Sequence, residues 1–451
     1  MTRRRFLGSA ALAAAYPPRS FAADNPPQIA DVLARIRPPS FATRDFPITR
    51  YGAREGGKES ATAAIAAAIA ACTGAGGGRV TVPPGRFLTG AIHLKSHVNL
   101  HLEEGATLLF SNDPKDYLPL VYTRFEGTEC MNYSPLIYAW EQTDIAVTGS
   151  GILDGQADPD HWWQMKTTAK RAELVAAADR GVPVRERIFG ERYDLRPNFF
   201  QPYRSSNVLV EGVTIRRSPM WELNPVLCRN VTVRNVKIST HGPNNDGCDP
   251  ESSSDVLIEG CDFDTGDDCI AIKSGRNRDG RRVGAFCENV IVRNCRMRDG
   301  HGGVSIGSEV SGGVRNVWME NNRMDSPHLE RALRIKTNSW RGGVLENFWF
   351  RNNTVGEVAE GVIDIDFYYP EGPGGPTGGG FKPVMRNVVV EHITSERSKY
   401  ALYLRGYPDA PISGVRISDC TFRNVARPDV IENVTGLSLD HDLRNDAEMK
   451  R

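Results

Sequence analysis

"CRNVTVRNVKI", residues 228–238, and "SSDVLIEGCDF", residues 253–263, share one pattern: an Asn or Asp followed by alternating apolar and polar residues. Alternation of this kind has the period of a strand with one buried face. The pattern recurs as "SSNVLVEGVTI" from Ser205, "CENVIVRNCRM" from Cys287, "VRNVWMENNRM" from Val314, "LENFWFRNNTV" from Leu345 and "MRNVVVEHITS" from Met385. "ISGVRISDCTF" from Ile412 is a degenerate last copy, and "HVNLHLEEGATL" and "QTDIAVTGSGIL" are earlier ones. The anchors Asn207, Asn230, Asp255, Asn289, Asn316, Asn347 and Asn387 are spaced 23, 25, 34, 27, 31 and 40 residues apart. A floor near 23 with variable excess describes a fixed coil carrying loops of different length. No helical period separates the copies, which argues against strand–helix–strand units. The expected fold is all-β: a solenoid of stacked parallel strands, a parallel β-helix, whose coils bury one another's apolar faces. A sandwich or jelly roll would leave the single recurring motif unexplained. Cys261, Cys295 and Cys420 hold the same motif position, so they read as an inward stack rather than redox groups.

A solenoid needs its open end covered. "SATAAIAAAIAACTGAGGG", residues 60–78, places Ile65, Ile69 and Cys72 on one helical face, with Gly74 as a stop, and is the expected N-terminal cap helix. The expected solenoid domain spans 45–435, interrupted by an insertion of helical character at about 157–200, and 436–451 reads as a charged tail. The first residues, "MTRRRFLGSAALAAAYPPRSFAADNP", carry Arg3, Arg4 and Arg5 before a short apolar run and a small-residue site ending at Ala22. That is the layout of a cleaved export signal over 1–22, resembling the twin-arginine class. The run is too short to anchor in a membrane, so the mature protein is expected in the periplasm or secreted. Lys+Arg 55 balance Asp+Glu 55, which gives no global basic field for nucleic acid. The chain is expected to be a monomer without membrane insertion. Its nine cysteines allow disulfides in an oxidising compartment, but none has the C-x-x-C spacing of a zinc site.

Chemistry concentrates in "DTGDDCIAIKSG", residues 264–275. Asp267 and Asp268 precede Ile270 and Ile272, an apolar alternation expected to point into the core. Asp264 reads as a turn cap. One coil earlier, "HGPNNDGCDP" carries Asp246; one coil later, "DGHGGVSIGSE" carries His301; the next, "RALRIKT", puts Arg334 and Lys336 on one strand face. Strands about 4.8 Å apart would stack these groups in one column. Crowded like charges split their pKa values, so one carboxyl keeps a proton while another stays ionised. Those are the two states glycoside hydrolysis needs. Lys273 follows the acidic pair and, within "KSGRNRDGRR", is the cation best placed to meet an acidic substrate. Ser305 lies in a G-x-S-x-G match without the required helix and reads as structural. Trp162 and Trp163 read as packing rather than sugar stacking.

Asn244-Asn245-Asp246-Gly247, Asp267-Asp268, Gly300-His301-Gly302 and Arg334-Ile335-Lys336 resemble, in order, the four signature motifs of the polygalacturonase family, glycoside hydrolase family 28. The resemblance covers roughly 45–430 and implies a right-handed, single-stranded parallel β-helix and hydrolysis of α-1,4-galacturonan by inversion, with no metal and no other cofactor. It also implies a polygalacturonate or pectic oligosaccharide substrate. Carried over, Asp267 resembles the general acid, Asp246 and Asp268 the water-activating pair, and His301 the imidazole supporting the acid. Arg334 and Lys336 resemble a grip on a substrate carboxylate. Asn244 belongs to the first motif and is expected near the substrate. Tyr369 resembles a downstream substrate-binding tyrosine, with Tyr368 as rival. Asn245 stands where many members have Thr, which puts a neighbouring subsite in question rather than Asp246. The insertion and the basic loop are expected to block one groove end and favour exo-action. A calcium-dependent pectate lyase and a non-catalytic glycan-binding β-helix are the competing readings.

Overall fold

The computed structural model describes residues 26–166, 168–190, 195–372, 374–440 and 443–444, so the export-signal reading of 1–22 lies outside the described residues. The repeats stack into a right-handed parallel β-helix. Two faces are a 14-stranded and a 12-stranded sheet, in which neighbouring strands follow chain order. The third face begins with Ile92–His93, Ile137–Trp140 and Phe200–Tyr203 and passes through single bridges at Leu223 and Cys248. It continues through Ile270–Ile272, Val304–Gly307, Arg331–Lys336, Gly361–Asp366, Tyr400–Arg405 and Val430–Glu432. This third face carries the candidate site.

Register follows from the alternation. Val208, Val231, Val256, Val290, Val317, Phe348, Val388 and Val415 are successive partners along the largest sheet. All eight are buried. A one-residue slip would turn this column to water, so burial pins every coil.

The anchor residues have a separate physical cause. Asn207, Asn230, Asp255, Asn289, Asn316, Asn347 and Asn387 all adopt φ between 54° and 65°, the left-handed region that Asn and Asp tolerate best. Their side chains form a ladder: Asn316 Nδ2 donates to Asn289 Oδ1 at 3.1 Å, Asn347 to Asn316 at 2.9 Å and Asn387 to Asn347 at 2.9 Å. The repeated Asn therefore marks the bend into each strand and bonds the coils together.

The helix Thr62–Gly74 buries Ile65, Ile69 and Cys72 in the core cluster at the solenoid's first coils, as its spacing predicts. The insertion contributes the helix Thr168–Asp179, whose Leu174 packs with Phe125, Cys130, Met220 and Trp221. Two local features differ from expectation, and a third lies outside it. The basic stretch after Lys273 is a short helix, Asn277–Val283, with Asn277 and Asp279 buried. Ser438–Asp440 pairs with Arg416–Ser418, because its alternation continues the repeat into the stretch read as tail. Residues 29–36 lie against the solenoid's flank, where Val32 and Ile36 cover Leu257, Ile291 and Trp318. All nine cysteines are buried free thiols.

Candidate active site

Three successive coils bring the acidic residues together. The Asp267 N–H donates to Asn245 O at 3.3 Å and the Gly247 N–H to Asp268 O at 3.0 Å, which seats the Asp246 turn directly beside the Asp267–Asp268 turn. The His301 N–H donates to Asp267 O at 3.1 Å, docking the third turn. Gly300 makes that approach possible: its φ is 136°, and a Cβ there would sit 2.4 Å from Asp267 O. One oxygen from each of Asp246, Asp267 and Asp268 lies within 4.8 Å of the others. Ile270 and Ile272 point the opposite way, fully buried.

The three carboxyls differ in depth and partners. Asp268 is fully buried; its Oδ1 accepts from Ser305 Oγ at 2.7 Å and Arg334 Nη1 at 3.5 Å, and its Oδ2 from Lys336 Nζ at 2.6 Å. Burial would raise its pKa, but the Lys336 and Arg334 charges outweigh that and hold it low. Asp267 lies nearer solvent, with Oδ1 3.0 Å from Nδ1 of the half-exposed His301. Burial opposes its ionisation, yet the His301 hydrogen bond and the Lys336 charge hold it below the usual carboxylate range. The same bond raises the His301 pKa against the opposing effect of burial. Asp246 is the reverse case. Burial, then the neighbouring Asp249, push it well above the carboxylate range against the pull of Lys273. Its Oδ2 accepts from Lys273 Nζ at 3.1 Å, while its buried Oδ1 has no partner among the described residues.

Arg334 and Lys336 do lie on one strand face, and the Tyr369 ring stands 5.6 Å from Lys336 Nζ. Tyr368 instead stacks under Arg405. Lys273 is not on an exposed basic loop: it is buried, 2.8 Å from Asp249, 3.1 Å from Asp246 and 3.8 Å from Glu309, with its ammonium over the Trp221 ring. Its charge is spent on protein carboxylates. Asn244 Oδ1 accepts from Arg196 Nη2 at 2.8 Å. Asn245 is fully buried and tied at both amide ends, to Ser218 O, Met220 O, Thr240 Oγ1 and Gly242 N, so it braces the turn rather than facing a subsite. Asp264 lies within the strand Asp262–Thr265 and bonds His241 at 2.9 Å instead of capping a turn. Trp162 is buried edge-on to Tyr117, consistent with packing.

Three contributors escaped sequence reasoning. Ser305 bonds Asp268 directly. Asp249 shares Lys273 with Asp246, and burial pushes it up to about 7. Arg196 bonds Pro219 O, Pro243 O and Asn244, and burial brings its pKa down to about 10. Asp249 follows Asp246 by three residues, a signal that was available; Arg196 lies in the insertion and had none.

The groove floor is asymmetric. Ahead of the acids, Gln201, Tyr203, Asn224, Asp249 and Glu251 are all fully buried. The hairpin Val121–Phe125 and Thr128–Asn132 covers them, with Gln201 Nε2 donating to Arg124 O at 3.2 Å and Arg124 paired to Glu251 at 3.2 Å. Arg171 of the insertion helix ties this roof down, 3.2 Å from Glu126 and 3.3 Å from Glu371. Arg276 adds contacts to Glu126, Glu309 and Glu371 at 3.1, 2.7 and 3.3 Å. Past the acids, Arg334, Asp366 and Arg405 stand partly open to solvent.

The family model described as glycosyl hydrolases family 28 matches residues 188–440. A probable polygalacturonase of Vitis vinifera is 28% identical over 377 residues, covering 80% of this chain and 71% of that one. The exo-poly-alpha-D-galacturonosidase of Dickeya chrysanthemi is 29% identical over 359 residues, covering 72% of this chain and 58% of that one. Among solved structures, a hyperthermoactive exopolygalacturonase from Thermotoga maritima is 43% identical with a TM-score of 0.89, covering 93% of this chain and 96% of that one.

Proposed function

The chain belongs to glycosyl hydrolases family 28 and is a glycoside hydrolase, and from that premise we propose that it releases galacturonic acid from the non-reducing end of α-1,4-galacturonan with inversion. The observation that carries this reading is the three-carboxylate cluster at the foot of a groove roofed on one side. The hairpin bonds directly to the floor on that side, so a terminal sugar can abut it whereas the middle of a long chain cannot pass through. The rest of the polymer runs over Arg334 and Lys336 towards the later coils.

The roles follow from depth and proton affinity. Asp267, the most accessible of the three carboxyls, faces the glycosidic oxygen. In the free enzyme its proton resides on His301. Asp267 is held low first by the His301 hydrogen bond and then by the Lys336 charge; a uronate gripped by Arg334 and Lys336 offsets that charge, and the proton moves from His301 Nδ1 to Asp267 Oδ1 and then to the leaving oxygen. As that C–O bond breaks, water attacks the anomeric carbon from the opposite face. Asp246 Oδ1, without a hydrogen-bond partner among the described residues, takes the water's proton in the ionised state of Asp246 that the Lys273 ammonium favours against burial. Asp268, pinned by Lys336 and Ser305, orients that water. Inverting pairs usually stand about 6.5–9.5 Å apart, so product stereochemistry is a demanding check on this tight cluster. A calcium-dependent lyase is less well supported, because Lys273 and Lys336 already supply cations to two of the three carboxyls. Export to the periplasm or beyond, where pectin is met, completes the proposal.

The test is a product profile on unesterified polygalacturonate with EDTA, with the first-formed anomer read by proton NMR. Galacturonate monomer, first as the β-anomer, is expected. A ladder of oligomers would overturn exo-action, α-anomer would overturn inversion, and unsaturated products would overturn hydrolysis. Asp267→Asn is expected to lower kcat by about 10²–10⁴-fold while still binding oligogalacturonate.

A further inference from the structure

Beyond the paired cations, the open half of the groove carries a second cationic position that the chemistry at the acids does not use. The register Gly307, Lys336, Asp366, Arg405 and Glu432 runs along the third face, one residue per coil. Arg405 therefore stands two strand spacings, about 10 Å, past Lys336 on the same line. Its guanidinium lies 4.6 Å over the Tyr368 ring, its Nη1 donates to Tyr403 Oη at 3.1 Å, and its Nε donates to Glu432 at 3.1 Å. Among the described residues its Nη2 makes no hydrogen bond. Tyr400 packs against Tyr403 at 5.3 Å within the same coil, which holds the Tyr403 ring beside Arg405. The intervening Asp366 lies 4.0 Å from Arg405 Nη1, so Arg405 itself offsets the Asp366 charge facing an acidic chain. A fixed guanidinium with a free edge, set in aromatic rings, suits the carboxylate and ring face of a uronic acid.

We propose that Arg405, braced by Tyr368 and Tyr403, forms a distal uronate subsite that holds the leaving part of the chain two sugars beyond the one gripped by Arg334 and Lys336. This rests on the hydrolase reading above. A pyranose unit is about as long as one strand spacing, so the subsite is reached only by longer oligomers. The enzyme should therefore prefer chains over dimers through KM rather than kcat.

The test measures kcat and KM for the wild type, Arg405→Gln and Arg405→Lys on di-, tri- and tetragalacturonate, with binding of tetragalacturonate by calorimetry. In Arg405→Gln the KM for the tetramer should rise about tenfold relative to that for the dimer, with the kcat ratio held and Arg405→Lys recovering part of the loss. An equal KM change at every length would overturn the subsite, as would none at any length. Wild-type enzyme that binds tetramer through Arg405 without cleaving it would overturn the hydrolase reading and support the subsite. Thermal melts of both variants identify any loss that comes from unfolding.

Discussion

Lys273 and Lys336 occupy one line of the third face, two coils apart with Gly307 between them, yet their surroundings are opposite. Lys273 lies beneath the roof and shares Asp246, Asp249 and Glu309. Lys336 is also buried, but it lies beside the partly open Arg334, with Asp268 as its one carboxylate partner within ion-pair distance among the described residues and the Tyr369 ring nearby. The same residue type at the same register is a buried counter-ion on one side of the acids and a candidate ligand group on the other. The difference lies in what lies above the strand, because an ammonium is available to substrate only where protein carboxylates leave it a free direction.

The sharpest way to break this contrast is to remove each lysine. Lys273→Met leaves Asp246 and Asp249 buried without a cation, and should cost about 3–5 kcal/mol of stability by chemical denaturation. Lys336→Met should act mainly on substrate, raising KM for oligogalacturonate about tenfold or more. Equal stability losses would mean that both lysines are structural.

A smaller effect concerns protons. The bond to Asp267 raises the His301 pKa, so the protonated form persists above the ordinary histidine value and is lost as pH rises through the raised one. The alkaline limb of kcat/KM should therefore lie above about pH 6.5. It should shift or disappear in His301→Asn. An alkaline limb unchanged in the variant would remove His301 from the proton path.

The smallest expected effect is at the roof. Arg171 is partly exposed and shared between Glu126 and Glu371, so Arg171→Ala should cost no more than about 1 kcal/mol. Its informative readout is the product profile. A loosened roof should let oligomers appear beside monomer, whereas pure monomer would show that the hairpin closes the groove unaided.

Much of this molecule was legible in one dimension. Period-two alternation and the Asn anchors determined the coils and their register, because a stacked parallel sheet turns each local pattern into a long-range contact, and helical spacing of Ile65, Ile69 and Cys72 determined the cap helix. The same stacking makes Asp246, Asp267, Asp268, His301, Arg334 and Lys336 a column that the motif order alone prescribes. Tertiary structure alone decided which side of that column is open. The roof is built by residues 121–132 and the insertion, which obey no repeat, and their ion pairs join positions as distant as Arg171 and Glu371. Burial of Lys273, the clamp made by Arg196, and the split that leaves Asp246 proton-hungry beside an ionised Asp267 all follow from that cover. Repetition encodes neighbours one coil away; desolvation depends on whatever folds over them from elsewhere in the chain.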